Sequence, residues 1–315
     1  MKRINLKKAV ICLISALTVT AAVGSLSACK IETAHPEAVI TYSFNGTEYA
    51  VKYTLYRSVR PHTVRHFIEL ANEGFYNDII VHDYDSNDWF TGGYVYNAED
   101  YSAKSENAGQ MGEYFEQYSK ENAYVQLYAD GVMTPTVFKD SAYNDETEKI
   151  DKTQYVPALF GEFTNNIQQE ITYDPLSAEL GCLKIYYYEK ETNRKVCVLP
   201  TDDQPMRNID YKTNCATSVF AVQTGASSSY SKSNYAVFAK VSDEDAFDKL
   251  LDAVGDFIDD NHGGTKSDFY TAVENVRVDN ADNYTDKPET DKGKEVDFKA
   301  PKTPIIIKEV KIVKY

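Results

Sequence analysis

The sequence is short of cysteine, tryptophan, methionine and positive charge. Five cysteines, one tryptophan and four methionines occur in 315 residues, so a disulfide-stapled scaffold is not in prospect. Against 48 acidic side chains stand only 33 Lys and Arg, for a formal net charge of -15. Phosphate binding needs clustered cations, so this balance argues against a nucleic-acid partner. Past the N-terminus no apolar run reaches the ~18 residues of a spanning helix, which argues against a polytopic membrane protein. What the chain does have is 43% hydrophobic and 13% aromatic residues, 25 of them tyrosine. That composition supports one large core or two modest ones and excludes a disordered or collagen-like chain.

The N-terminus reads as an address. Lys2, Arg3, Lys7 and Lys8 form a basic region, and Ala9 to Val23 is uncharged and rich in Val, Ile, Leu and Ala, the pattern of a secretory signal peptide. Leu26-Ser27-Ala28-Cys29 follows and resembles the bacterial lipobox, in which the cysteine is lipidated. The expectation is a signal peptide over 1–28, a lipidated Cys29 with a tether over 29–37, and a domain over 38–315. That domain is expected outside the cytoplasm, anchored to the bacterial cell membrane by lipid. Cleavage removes four cations and no anions, so the exported part is more acidic than the whole. Cys182, Cys197 and Cys215 remain, and an odd count permits one bridge at most, with three buried thiols an equal alternative.

Local patterns then order the rest. Ala38 to Tyr56 reads as a hairpin around Asn45-Gly46. A helix begins near Pro61, carries Val64, Phe67, Ile68 and Ala71 on one face, and stops at Gly74. Ile79 to His82 is strand-like. Tyr94 to about Tyr155 is polar and reads as a surface insertion, with a helix around Gly112 to Tyr124. Cys182 to Tyr188 and Lys195 to Leu199 suggest a hairpin turning at Glu191 to Arg194. Ser218 to Gln223 and Tyr235 to Val241 are strands, and Asp243 caps a helix whose face carries Phe247, Leu250, Val254 and Ile258. A second insertion covers about 259–300, with a short element at Phe269 to Val278 and a stretch Asp279 to Lys299 too charged to bury. A last strand, Ile305 to Val313, has the N-terminal hairpin as its economical partner. Many strands with two covering helices suggest a mainly β, closed antiparallel barrel.

An ordered set of fragments carries a resemblance. Arg60-Pro61-His62-Thr63-Val64, Phe67-Ile68-Glu69-Leu70, Glu73-Gly74-Phe75-Tyr76, His82 and Gly92-Gly93 are followed by Gly161-Glu162-Phe163, Gly181-Cys182-Leu183, Thr217-Ser218-Val219-Phe220, Tyr235 to Val241 and Thr303-Pro304-Ile305-Ile306-Ile307. This series resembles the cyclophilins, the peptidyl-prolyl cis-trans isomerases. The resemblance implies an eight-stranded antiparallel barrel with two capping helices, here with insertions near 94–157 and 259–300. It also implies an isomerase of proline-containing segments in exported polypeptides, or a protein that binds them.

The active-site positions depart from that family. Cyclophilins lower an amide barrier of ~20 kcal/mol with an arginine that donates hydrogen bonds to the prolyl peptide. Asp83 stands at that position, after His82. A carboxylate accepts only and cannot donate to a carbonyl. Around it the resemblance sets His82, Trp89, Thr91, Tyr186, Tyr187, Phe220, Ala221, Tyr230 and Tyr235 as peptide-binding candidates, with Asp88 where an apolar pocket residue is usual. Two readings follow. Either an arginine from elsewhere, Arg60, Arg194, Arg207 or Arg277, reaches the site, or the protein is a non-catalytic cyclophilin-fold module that binds a peptide or a surface partner. No cofactor or metal and a monomer are expected. His62 and His66, i and i+4 on the first helix, read as solvated side chains lacking a third ligand. Asp83 to Asp88 starts like a calcium loop but has neither its Gly nor its closing Glu.

Overall fold

Alternation builds the first hairpin. In β1 (Glu37–Phe44) the residues Ala38, Ile40, Tyr42 and Phe44 are buried, and in β2 (Thr47–Leu55) Val51, Tyr53 and Leu55 are, because successive side chains leave opposite faces of a strand. Asn45 and Gly46 turn it with φ of 46° and 80°, the doubly left-handed turn that suits the strand twist. In the computed structural model the described residues are 33–105, 107–144, 146–147, 149–162, 176–186, 193–198, 207–212, 215–226, 235–278 and 294–315. Cys29, Tyr187 and Tyr230 lie outside them.

Helix α1 (Pro61–Asn72) follows with proline in its first turn, and Gly74 beyond its end has φ of 65°. Its N-terminus is buried, so its free N–H groups need a partner. Glu162 supplies one: its carboxylate accepts the backbone N–H groups of His62 at 3.3 Å and Thr63 at 2.9 Å and the Thr63 hydroxyl at 2.6 Å. Phe67 then packs its ring 5.2–5.5 Å from those of Tyr76, Phe220 and Phe238. Contrary to the sequence reading, His62 and His66 are both buried. The His62 ring lies edge-on to Phe160, and the His66 ring edge-on to Tyr124.

The sheet comprises β1, β2, β3 (Ile79–Ile80), β4 (Asp83–Asp85), β5 (Asp88–Thr91), β6 (Leu183–Tyr186), β7 (Phe220–Gln223), β8 (Tyr235–Val241) and, by way of the hairpin described below, a C-terminal strand Ile305–Lys314. Its order is β3, the C-terminal strand, β1, β2, β8, β6, β7, β5, β4, and every pairing is antiparallel. The two ends of that order belong to one stretch of chain. Val81 N–H donates to Ile305 O at 2.9 Å on one side, and His82 N–H to Phe90 O at 2.9 Å on the other. Residues 79–85 thus act as a single kinked strand that closes the ring at eight, which removes both sheet edges. The C-terminal strand pairs with β1, as the economical pairing predicts.

The insertions hold more structure than their composition suggests. Among the described residues of the first insertion there are three helices instead of one: α2 (Ala98–Lys104), α3 (Ala108–Gln117) and α4 (Glu121–Ala129). Asn97 and Asn107 cap the first two through their side-chain oxygens, as Asn does at N-termini. The predicted helix across Gly112 to Tyr124 is broken at 118–120, where Lys120 N–H donates instead to Gly93 O at 2.8 Å. This is no mere surface excursion. Tyr101, Met111, Tyr114 and Phe115 are buried and form a second core with Tyr94, Val273, Ala300 and Ile306.

Two strand expectations are corrected. Residues 193–198 pair with 207–212 and with 137–138, and not with 183–186, because both edges of β6 are already taken by β7 and β8. The charged stretch before Pro301 also forms a strand: β9 (Tyr270–Val278) and β10 (Lys294–Pro301) pair as an antiparallel hairpin, and the C-terminal strand is then β11. Alternation lets Ala300 be buried while Lys299 is exposed. Helix α5 (Glu244–His262) is capped by Asp243, which accepts Ala246 N–H at 3.2 Å. It buries Phe247, Leu250, Val254 and Ile258, as its apolar face predicts. Among the described residues no helix is long and apolar enough to cross a membrane.

Candidate functional site

The pleat of β5 divides the predicted site residues between two faces. Trp89 and Thr91 point into the barrel: Trp89 belongs to the main core and donates Nε1–H to the Tyr270 hydroxyl at 2.8 Å, and Thr91 donates to Ile80 O at 2.8 Å. Phe220 lies in the same core. These three support the barrel from inside and do not line an outer groove, a correction that follows from the period of two. On the opposite face Tyr186, Ala221 and Tyr235 cluster with Cys182 and Val237, and Phe90, Leu176 and Ala178 pack against them. The rings of Phe90 and Tyr186 are 5.0 Å apart, and those of Tyr186 and Tyr235 5.9 Å.

Within that apolar cluster lies a charged pair that the sequence reading did not connect. Lys184 on β6 and Asp88 on β5 both have side chains 0% exposed, although β7 separates their strands. Lys184 Nζ donates to Asp88 Oδ1 and Oδ2 at 2.6 and 2.7 Å and to Gln223 Oε1 at 3.0 Å. The Tyr186 hydroxyl donates to Asp88 Oδ2. Lys184 Nζ also stands 5.2 Å from the centre of the Tyr235 ring. Burial pushes the Cys182 thiol up to about 11, and its Sγ is 3.7 Å from Gln223 Oε1. Cys182 is free; the side chains of Cys197 and Cys215 lie outside the described residues. The signal for the pair was a Lys and an Asp each at a strand position whose neighbours alternate with core residues.

At the other end of the β4–β5 hairpin, Asp83 is covered by the chain itself. Its Oδ1 accepts the backbone N–H of Lys299 on β10 at 2.7 Å. Burial raises the Asp83 carboxyl to about 6, against the lowering effect of the Lys299 and Tyr84 backbone N–H groups. His82 is buried with its ring 4.8 Å from that of Tyr94 and 5.1 Å from that of Phe298, and burial lowers it to about 3. Tyr270 anchors the base of the β9–β10 hairpin, stacked 4.2 Å from Tyr84 under the Trp89 contact. Arg60 is buried at the start of α1 and donates from Nη1 to Val59 O at 3.1 Å. The side chains of Arg194, Arg207 and Arg277 lie outside the described residues.

Ser86 and Asn87 turn the hairpin with φ of 51° and 68°, Asp85 accepts from the Ser86 hydroxyl, and Asp83 and Asp88 bind the Lys299 backbone and the Lys184 side chain. The acidic run is therefore a hairpin turn. No group of three His, Cys, Asp or Glu among the described residues is placed to hold a metal. At Gly92, with φ of 98°, a Cβ would lie 2.3 Å from Ser218 O, so only glycine permits β5 to leave the barrel this close to the strand beside it.

The family model for cyclophilin type peptidyl-prolyl cis-trans isomerase/CLD matches residues 40–268. The chain belongs to this family. No curated protein matches it. Two solved structures of a cyclophilin type peptidyl-prolyl cis-trans isomerase from Cryptosporidium parvum, one in the presence of the dipeptide Ala-Pro, are similar at 13% identity. Both comparisons cover 89% of this chain and 99% of the other, with TM-scores of 0.37 and 0.35. In this cyclophilin the matched span includes all of α1 to α5 and ends before the β9–β10 hairpin, so the strand that covers Asp83 lies beyond it.

Proposed function

We propose that the protein is a lipid-anchored, extracytoplasmic cyclophilin-fold module that binds segments of exported polypeptides, or a surface partner, without catalysing prolyl isomerisation. One observation carries the loss of catalysis: the position read as the family's arginine is a carboxylate, and its oxygen is already occupied by the backbone of Lys299 at 2.7 Å. A prolyl carbonyl brought there would meet an acceptor, where twisting the amide needs a donor. Phe298 occupies the ground over His82 at the same time. The binding reading rests on the aromatic outer face, where Phe90 is part-exposed beside the buried rings of Tyr186 and Tyr235, since such side chains give rigid amphipathic contact area. Export and anchoring rest on the signal-like N-terminus and Cys29. Family membership favours a second reading, an isomerase whose guanidinium comes from Arg194, Arg207 or Arg277.

Two measurements test the proposal. Prolyl exchange in short X-Pro peptides, followed by NMR with the full chain in detergent, should stay at the uncatalysed rate of tens to hundreds of seconds. Exchange as fast as an active cyclophilin sustains would overturn the inactive reading in favour of the isomerase. For the anchor, a Cys29→Ala variant should leave the membrane fraction and fail to incorporate a fatty-acid label. Continued labelling would place the lipid elsewhere.

A further inference from the structure

We propose that Lys184 and Asp88 join as an intramolecular isopeptide bond that ties β6 to β5 across β7. Three features point to it, and they are independent of the proposed binding function. The reacting groups are held together: both carboxylate oxygens sit within 2.7 Å of Nζ, so the carboxyl carbon lies directly before the amine, and rotation about the last side-chain torsion of Asp88, which is soft, offers its face to the nitrogen. Such proximity removes most of the entropic cost of bringing the two groups together once that rotation is made. The site is dry: both side chains are fully buried among Phe90, Tyr186, Tyr235 and Val237, where burying two full charges is costly. Proton-carrying groups are in place too. The Tyr186 hydroxyl bonds Asp88 Oδ2, the oxygen that must leave, and Gln223 Oε1 accepts from Nζ at 3.0 Å and orients it.

The step balances without a co-reactant. The ion pair first passes a proton from Nζ to the carboxylate, giving amine and acid. The nitrogen lone pair forms the N–Cγ bond, and the Cγ–Oδ2 bond breaks. Oδ2 departs as water with the carboxyl proton and one proton from Nζ, with Tyr186 as relay. Nothing is oxidised or reduced. The expelled water leaves an apolar cluster, which opposes the reverse hydrolysis. The product is one amide on the outer face of the barrel sheet, beside the free thiol of Cys182.

Mass spectrometry of the full chain decides it. After denaturation and trypsin digestion, the peptides that carry Asp88 and Lys184 are expected as one branched species, lighter than their sum by one water, with no cleavage after Lys184. A Lys184→Arg variant retains the cation, lacks the nucleophilic amine, and should yield only linear peptides. Asp88→Asn, if it folds, should lose ammonia in place of water. Because the wild-type digest is itself diagnostic, a variant that fails to fold does not blunt the test. Linear Asp88 and Lys184 peptides in the wild-type digest, with cleavage after Lys184, would overturn the proposal and leave an ordinary buried ion pair.

Discussion

Replacing Lys184 by Met is expected to lower the unfolding free energy by about 3–5 kcal/mol, the usual cost of removing one member of a buried charge pair. The size follows from what is left behind. Met nearly fills the volume of the lysine stem, so little of the loss comes from a cavity. Asp88, however, keeps its carboxyl in a place with no exposure, with the Tyr186 hydroxyl still bonded to it and the cation gone. Gln223 Oε1 loses its bond from Nζ as well. A Lys240→Met change on β8 serves as control. That lysine pairs with Glu179 at 2.9 Å, but Glu179 is half exposed, and such surface pairs contribute about 0–1 kcal/mol. Urea unfolding of the two variants should therefore separate them by several kcal/mol. If Lys184→Met costs no more than the control, Asp88 is not stranded and water must enter the cluster. A covalent pair would enlarge the loss, since the variant would also lack a cross-link that constrains the unfolded chain.

Much of the barrel could be read locally because its signals are short-range. Asn45-Gly46 fixes a turn whatever surrounds it, Pro61 and Gly74 bracket one helix, and Asp243 starts another. The family fragments kept their order, and the matched span of residues 40–268 agrees with it. What escaped was determined by distant neighbours. His62 and His66 have helical spacing on a face that looks polar, and only the arrival of Phe160, Tyr124 and Tyr128 buries it. The strand at 193–198 has apolar alternation but no mark of its partner, so the nearest apolar run is the economical expectation although β6 has no free edge. Lys184 is unremarkable in the sequence, and Asp88 stands out only as an acid where an apolar residue is usual. Their meaning arises because the pleat puts both on one face, two strands apart. The same rule turns Trp89, Thr91 and Phe220 inward, away from Tyr186, Ala221 and Tyr235 on the outer face. The β9–β10 hairpin escaped through its charge, since a strand can carry Lys299 outward and Ala300 inward and still be well anchored.

Lowering the pH from 7 to 5 is expected to destabilise the fold by about 2–3 kcal/mol, with His66 and His82 as the cause. Burial lowers each imidazole from an ordinary value near 6.5 to about 3. Above pH 6.5 both are neutral whether the chain is folded or not, and their contribution is constant. As the pH falls through 6.5 the unfolded chain takes up two protons that the folded chain refuses, so stability declines by about 1.4 kcal/mol per pH unit per histidine. Asp83 opposes this. Its carboxyl, raised to about 6 chiefly by burial, binds a proton in the folded chain before it does so in the unfolded one. It thus costs stability above pH 6 and returns part of it between pH 6 and 4. The surroundings of the histidines offer little relief: Tyr124 and Tyr128 with the Arg65 charge around His66, and the Tyr94 and Phe298 rings around His82. Urea titrations at pH 7, 6 and 5 on wild type and on His82→Phe, which suits an aromatic niche, would measure the slope. The variant should lose close to half of the histidine contribution, and wild type would have to become more stable on acidification for the buried histidines to be dismissed.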